Sequence, residues 1–155
     1  MSTRMPILLR TAGAVALLAA GLFPAACGRA REAGAPSDGR TAIPLDAEQR
    51  LAVLTEMRTM LGSLSGVLGA VTRWDTAGIR SAAAQSGTTA AADPALEKIL
   101  PEQWMQIAMR THQGFDSLAA SVGGKRASRD TVVAKLAAIV PECVNCHATY
   151  RLPSP

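Results

Sequence analysis

The sequence is poor in aromatic residues, with two tryptophans, one tyrosine and two phenylalanines among 155 residues. These aromatics do not alternate with basic residues. The formal net charge is only +4, from 16 basic and 12 acidic residues. Arg4 and Arg10 lie in a predicted signal peptide, residues 1–26, which is described below. Removing it leaves 14 basic against 12 acidic residues, or a net charge of +2. A nucleic-acid interface usually needs a concentrated basic patch, so we expect no nucleic-acid partner.

Alternating apolar and polar residues, the pattern of a half-buried strand, are also missing from the sequence. Apolar residues instead recur at intervals of three and four, which predicts helices. Short connections between them favour an all-α fold, an antiparallel four-helix bundle. The predicted helices run from about Asp46 to Arg73, Asp75 to Gln85, Pro101 to Gly123, and Ser128 to Arg151, with a helical turn over Pro94 to Leu100.

Each predicted helix has signals for its start and a proposed inward face. Asp46 and Asp75 are suitable N-caps, and Pro101 suits a first turn. Pro141 lies inside the last helix and should kink or restart it. The residues predicted to face inward on the first helix are Leu51, Leu54, Met57, Met60, Leu61, Leu64, Val67, Leu68 and Val71. On the third and fourth helices they are Trp104, Ile107, Ala108, Phe115, Leu118, Ala119, Val132, Val133, Leu136, Ile139 and Val140.

Cysteine is scarce, but two of the three cysteines stand in the sequence Cys143-Val144-Asn145-Cys146-His147. This spacing is the attachment signature of a c-type haem. Each thiol can add across one vinyl group of the porphyrin and form a thioether. On a helix, positions three apart share one face, and the next residue can turn its imidazole toward the iron. The motif therefore predicts one covalently bound haem c.

Other interpretations of this motif fit the sequence less well. A thioredoxin-like redox pair needs a βαβ context, and no strand pattern surrounds the motif. A structural zinc site needs four nitrogen or sulfur ligands, whereas the motif offers three and His112 is the one other histidine. A disulfide between residues three apart would be strained.

The first 26 residues have the features of a secretory signal peptide. Arg4 and Arg10 form a basic region, and the apolar stretch Thr11 to Phe23 is too short to span a bilayer comfortably. Small residues follow before Cys27. Export agrees with the haem motif, because bacteria attach haem to apocytochromes outside the cytoplasm.

Cys27 stands where a bacterial lipoprotein carries its diacylglyceryl group. An odd thiol in an oxidising compartment favours such a modification, although Pro24 departs from the usual lipoprotein pattern. The alternative is a plain periplasmic protein cleaved near Ala26. Residues 27–44 then form a lipid-anchored or flexible tether rich in Gly, Ala, Arg and Pro, and residues 45–155 form the haem domain.

The segment from Cys143 to Arg151 resembles the ending of class II c-type cytochromes, the cytochrome c-prime family. That ending has an aromatic residue three positions after the histidine, followed by a basic one. The resemblance covers about Leu45 to Leu152 and implies a four-helix bundle with haem on the last helix. It implies thioether bonds at Cys143 and Cys146, an axial ligand at His147, and Tyr150 and Arg151 near the haem. It also implies, for part of the family, a homodimer through the first two helices, where Gly62, Gly66 and Gly69 would allow close approach.

The sixth iron ligand decides the expected function. Aligned with the first helix of the resembling family, Met57 occupies the ligand position and Met60 is the alternative, while Met as a core gap-filler remains the competing interpretation. A methionine ligand implies a six-coordinate electron carrier and not an enzyme. Val53 stands where relatives often carry an arginine, so Arg58 and Arg110 are the candidates for contacts with the haem propionates.

We therefore expect a periplasmic or membrane-anchored monohaem cytochrome that exchanges single electrons with redox partner proteins. One alternative is a five-coordinate haem protein that binds small gases such as NO or CO. Another is an accessory lipoprotein in which haem stabilises a scaffold. His112 is an alternative sixth ligand, but a lone helical histidine is more often a surface residue or a hydrogen-bonded structural one.

Overall fold

A computed structural model of the chain describes residues 38–91 and 94–153. The protein is mainly helical, so the predicted all-α class is confirmed. The predicted signal peptide, Cys27 and the first part of the tether lie outside the described residues. The elements are β1 (Thr41–Ala42), α1 (Ala47–Arg73), α2 (Thr76–Ala84), α3 (Pro94–Glu97), α4 (Glu102–Ser121), α5 (Arg129–Thr149) and β2 (Tyr150–Arg151).

Side-chain caps fix the starts of three helices. Asp46 accepts a hydrogen bond from the Gln49 backbone nitrogen at 2.8 Å, and the Gln49 side chain accepts one from the Asp46 nitrogen at 3.1 Å. This reciprocal capping box satisfies donors that the first turn leaves without helical partners. Asp75 and Ser128 cap α2 and α5 in the same position. The predicted caps at Asp46 and Asp75 are therefore confirmed.

The helices pack in the pairs α1–α2, α2–α4, α4–α5 and α1–α5. Gly114 lets α4 and α5 approach closely, since a Cβ there would lie 2.7 Å from Ile139 Cγ1. Apolar side chains form two clusters. One is centred on Val67, Ile79, Phe115, Leu118, Val132 and Ile139. The other joins Ile43, Val53, Leu96, Trp104, Ile107, Cys146 and Tyr150 beside the haem motif.

The inward face predicted for α1 was too wide. Met60, Val67 and Val71 are buried, but Leu51, Leu61 and Leu68 are exposed by 60%, 67% and 54%. Each helical residue advances by about 100°, so Leu61 and Leu68 turn away from the face that buries Met60 and Val67. The same rotation leaves Val133 and Val140 of α5 exposed, contrary to prediction. The predicted inward residues Trp104, Ile107, Phe115 and Leu118 of α4 are buried.

The segment before α1 packs onto the end of the chain. β1 and β2 pair in parallel, with Thr41 opposite Tyr150, and the Ile43 nitrogen donates to the Arg151 carbonyl at 2.9 Å. Ile43 is only 3% exposed. We call residues 38–44 the strap. The sequence assigned them to the tether, yet they form one side of the region that holds the haem motif.

Helix α5 continues through Pro141 without the restart that the sequence suggested. Proline removes one backbone donor and leaves the carbonyl four residues earlier without its helical partner. Pro141 and Ala137 are both exposed, so water can satisfy that carbonyl. The haem motif therefore lies in the last turns of one 21-residue helix. Within the described part of the chain, no helix is long and apolar enough to cross a membrane.

Candidate functional site

A cavity of about 320 Å³ lies between α1, α4 and the end of the chain. From α5 and the residues after it, Cys146, His147 and Tyr150 line this cavity. From α1, the lining residues are Arg50, Val53, Leu54 and Met57. These four recur at three and four positions, so they share one helical face. Met57 therefore borders the same space as the haem motif.

A smaller cavity of about 30 Å³ adjoins the first and shares three lining residues with it, Met57, Trp104 and Cys146. Cys143 and Met60 also line this smaller space. The two cavities together bring both motif cysteines, His147 and both candidate methionines into one region. Met57 borders both cavities, whereas Met60 borders only the smaller of these two and is 7% exposed.

Both motif cysteines are free thiols rather than a disulfide. Cys146 is buried, and Cys143 is half-buried with its Sγ donating to the Ile139 carbonyl at 3.8 Å. Burial raises the pKa of both thiols, to about 11 for Cys146, where the neighbouring Cys143 adds to the rise. A catalytic or redox thiol needs a lowered pKa and an electropositive surrounding. This environment therefore disfavours the thioredoxin-like interpretation.

Tyr150 and Trp104 form an aromatic wall next to the motif. Their ring centroids lie 5.2 Å apart at an interplanar angle of 55°. Each is only 6% exposed, and the Tyr150 hydroxyl donates to Gln103 Oε1 at 3.4 Å. Two of the few aromatic residues in the chain are thus concentrated here. Both rings line the 320 Å³ cavity and give it an apolar surface beside Cys146.

The donor set in this region matches what a c-type haem requires. Two thiols can form thioethers, one imidazole can bind iron, and a methionine sulfur can complete the coordination. No three His, Cys, Asp or Glu side chains in the described ranges come together as a metal-binding group. A His/Met haem is a different donor set, because the porphyrin supplies four of the six ligands. The residues present therefore fit a haem.

Arg151 lines the 320 Å³ cavity, beside Cys146 and His147 of the motif. Arg58 is exposed and lines neither cavity, because it follows Met57 by one residue and points about 100° away from the cavity face. Arg110 is paired with Glu142 at 2.9 Å. Sequence reasoning missed Arg40 and Arg50, which both line the cavity of about 320 Å³. Arg50 lies two turns before Met57 on the same face, and this spacing was a usable signal.

His112 is a buried structural residue, as the sequence favoured. It is 2% exposed, its Nε2 lies 2.9 Å from Glu56 Oε1, and its Nδ1 lies 2.9 Å from the Ser86 carbonyl. The Ser86 hydroxyl in turn lies 2.8 Å from that of Ser63. This network joins α1, α4 and the end of α2. It borders a separate cavity of about 470 Å³ to which none of the motif residues contributes.

The His112 network predicts a pH-dependent stability. Burial alone would lower the pKa of His112, but hydrogen bonds to Glu56 and the Ser86 carbonyl, with the charges of Glu56 and Asp116, raise it above its ordinary 6.5. A raised folded-state pKa gives stability that is fully present below 6.5 and is lost as pH rises through the folded value. We expect His112→Gln to lose about 1–3 kcal/mol near pH 6 and less at alkaline pH.

Denaturant unfolding of the protein at a series of pH values tests this expectation. The matched control is Gln113→Ala, at the exposed neighbouring position, which should retain the pH dependence of the unchanged protein. Equal losses for His112→Gln at acid and alkaline pH would contradict the assignment of a protonated His112.

In comparisons with known proteins, no family model, no curated protein and no solved structure matches this chain.

Proposed function

We propose that this chain is a monohaem c-type cytochrome that passes single electrons between redox partner proteins. The observation that carries the proposal is the meeting of Met57 with Cys146 and His147 around one cavity. These residues come from opposite ends of the folded region. The motif alone marks a haem attachment site, and the cavity adds a second candidate axial ligand from another helix.

The residues have distinct roles in this proposal. Cys143 and Cys146 would hold haem c through two thioether bonds, and His147 and Met57 would bind its iron. The bound group would supply an iron that alternates between the ferric and ferrous states. Because the methionine sulfur is soft and neutral, it would favour the ferrous state and raise the reduction potential. Trp104 and Tyr150 would offer the group an apolar surface.

The architecture we propose is an antiparallel four-helix bundle of the class II, or cytochrome c-prime, type. The packing pairs α1–α2, α2–α4, α4–α5 and α5–α1 support it, because they connect four helices in a closed ring. The position of the motif at the end of the last helix supports it as well. A six-coordinate iron leaves no open position for substrate, so the proposal includes no catalysed reaction.

The location we propose is the periplasmic side of a bacterial membrane. A signal peptide over residues 1–26 and a lipid on Cys27 would export the chain and anchor it. The haem domain would then meet its redox partners through a small, transient interface. A homodimer through α1 and α2 is a further part of the proposal. Among the glycines noted for it, Gly66 already lies against Ala82 of α2, whereas Gly62 and Gly69 have no atoms within 4 Å of an added Cβ.

Absorption spectra of the holoprotein in both oxidation states test this function. The protein should be made in a host that matures c-type cytochromes. We expect low-spin bands in both states, a sulfur-to-iron charge-transfer band in the ferric protein, and a reversible one-electron couple. High-spin bands that shift on addition of carbon monoxide would instead indicate the gas-binding alternative, and the lack of a reversible couple would indicate a scaffold.

A further inference from the structure

Three arginines gather at one end of the 320 Å³ cavity. Arg40 comes from the strap, Arg50 from the first turn of α1, and Arg151 from β2. The remaining lining residues are mainly apolar, and no acidic side chain is among the described residues that line this cavity. The cavity therefore has an apolar part beside Met57 and Cys146 and a cationic part beside the strap.

Two of these arginines, Arg40 and Arg151, contact the carboxylate of Asp38, which does not itself line the cavity. Arg40 donates from Nε to Asp38 Oδ2 at 2.8 Å, and Arg151 Nε lies 3.8 Å from Asp38 Oδ1. The Arg40 guanidinium also holds the pKa of Asp38 below its ordinary value. Guanidinium groups bind carboxylates through paired, charge-assisted hydrogen bonds. Arg40 and Arg151 thus lie close enough together to contact the same carboxylate.

The remaining contacts of the arginines leave donors available. Arg40 Nη1 donates to the His147 carbonyl at 3.2 Å, and Arg50 Nη1 donates to the Pro153 carbonyl at 2.6 Å. Arg40 also donates to Asp38 from Nε and Nη2, so these contacts use three of its five N–H donors, whereas the Pro153 contact uses one of the five on Arg50. Three positive charges less the one negative charge of Asp38 leave +2 at this end of the cavity. A haem carries two propionate carboxylates, whose charge of −2 balances this excess.

We propose that Arg40 and Arg50 bind the haem propionates at the strap end of the cavity, with Arg151 beside them. This inference rests on the proposed function, since it names the contacts of the group bound there. Arg40 and Arg50 take the place of Arg58 as the candidates for propionate contacts, because Arg58 lines neither cavity. It also gives the strap a role in binding, because Arg40 belongs to the segment that closes onto Tyr150 and Arg151 rather than to a helix.

Neutralising one arginine at a time tests the inference. The variants are Arg40→Gln and Arg50→Gln, and the matched control is the exposed Arg58→Gln. Each is measured as holoprotein by resonance Raman spectroscopy, in the propionate bending bands, and by redox titration. We expect the bending bands to move in Arg40→Gln and Arg50→Gln and to stay in place in Arg58→Gln. A nearby cation favours the ferrous state. The midpoint potential should therefore fall at least twice as far in Arg40→Gln and in Arg50→Gln as in Arg58→Gln.

The outcomes separate this inference from the proposed function. A holoprotein with a reversible couple in which all three variants shift alike, with unchanged propionate bands, would overturn the arginine assignment and leave the cytochrome proposal intact. An unmodified chain that acquires no haem would overturn the cytochrome proposal itself. If Arg40→Gln fails to accumulate because it loosens the strap, Arg50→Gln still decides, since Arg50 lies outside the β1–β2 pairing.

Discussion

Replacing both Cys143 and Cys146 with serine should abolish covalent haem attachment completely. The wild-type chain, matured in a competent host, should keep its haem after denaturing electrophoresis and should have a mass above that of the bare polypeptide. The double variant should have the bare mass and no haem stain, because serine hydroxyls do not form the thioether bonds. Single replacements should leave one thioether and a weaker, asymmetric chromophore. Mass spectrometry and in-gel haem staining measure these outcomes.

Cys27→Ser is the matched control for this experiment. It removes the third cysteine of the chain but leaves the motif intact, so we expect full haem content. The same variant should also lose any lipid anchor and move from the membrane fraction to the soluble fraction. Covalent haem that persists in the Cys143/Cys146 double variant would refute the attachment sites. A wild-type protein that stays colourless would refute the haem itself.

The environment of the thiols explains why serine is an informative replacement. Cys146 is 8% exposed, and its thiol has a pKa of about 11 because of burial and the neighbouring Cys143. Serine is close to cysteine in size but cannot form a thioether bond. A loss of covalent haem in the variants therefore reports the missing attachment.

Local signals in the sequence predicted the helices because their causes are local. The capping box of Asp46 with Gln49 spans four residues, and the spacing of Trp104, Ile107 and Phe115 shows the buried face of α4. The rotation of α1 about its axis, which decides which face is buried, was harder to predict from the sequence. The nine residues of that helix predicted to face inward cover more than one face, and only packing against its neighbours decides that Leu61 is exposed.

Contacts between distant parts of the chain could not be predicted in the same way. The strap pairs Thr41 with Tyr150 over only two residues, too short a run to produce an alternating pattern. Its composition, rich in small and polar residues, resembles a flexible tether. Arg40 therefore gave no sign that it borders the cavity. The proposed attachment motif can be recognised in the sequence because thioether attachment requires a fixed local spacing, whereas the cationic end of the cavity is assembled from three separate segments.

The sixth ligand gives the second large expected effect. We expect Met57→Leu to change the haem from low-spin to high-spin, to remove the sulfur-to-iron charge-transfer band, to allow carbon monoxide to bind the ferrous protein, and to lower the midpoint potential. Leucine nearly conserves the volume of methionine, so the cost in unfolding free energy should stay below about 1.5 kcal/mol. The spectral change would then report the lost sulfur and not a collapsed cavity.

Met60→Leu is the matched control, because Met60 is the other methionine on this part of α1 that contacts the region. Met60 is 7% exposed, packs with the cluster around Phe115 and does not border the cavity that contains His147. Its replacement should therefore leave the low-spin spectrum unchanged at a similarly small cost in stability. A loss of the charge-transfer band in Met60→Leu alone would transfer the ligand assignment to Met60. If the wild-type protein is already high-spin and binds carbon monoxide, neither methionine reaches the iron and the gas-binding function replaces electron transfer.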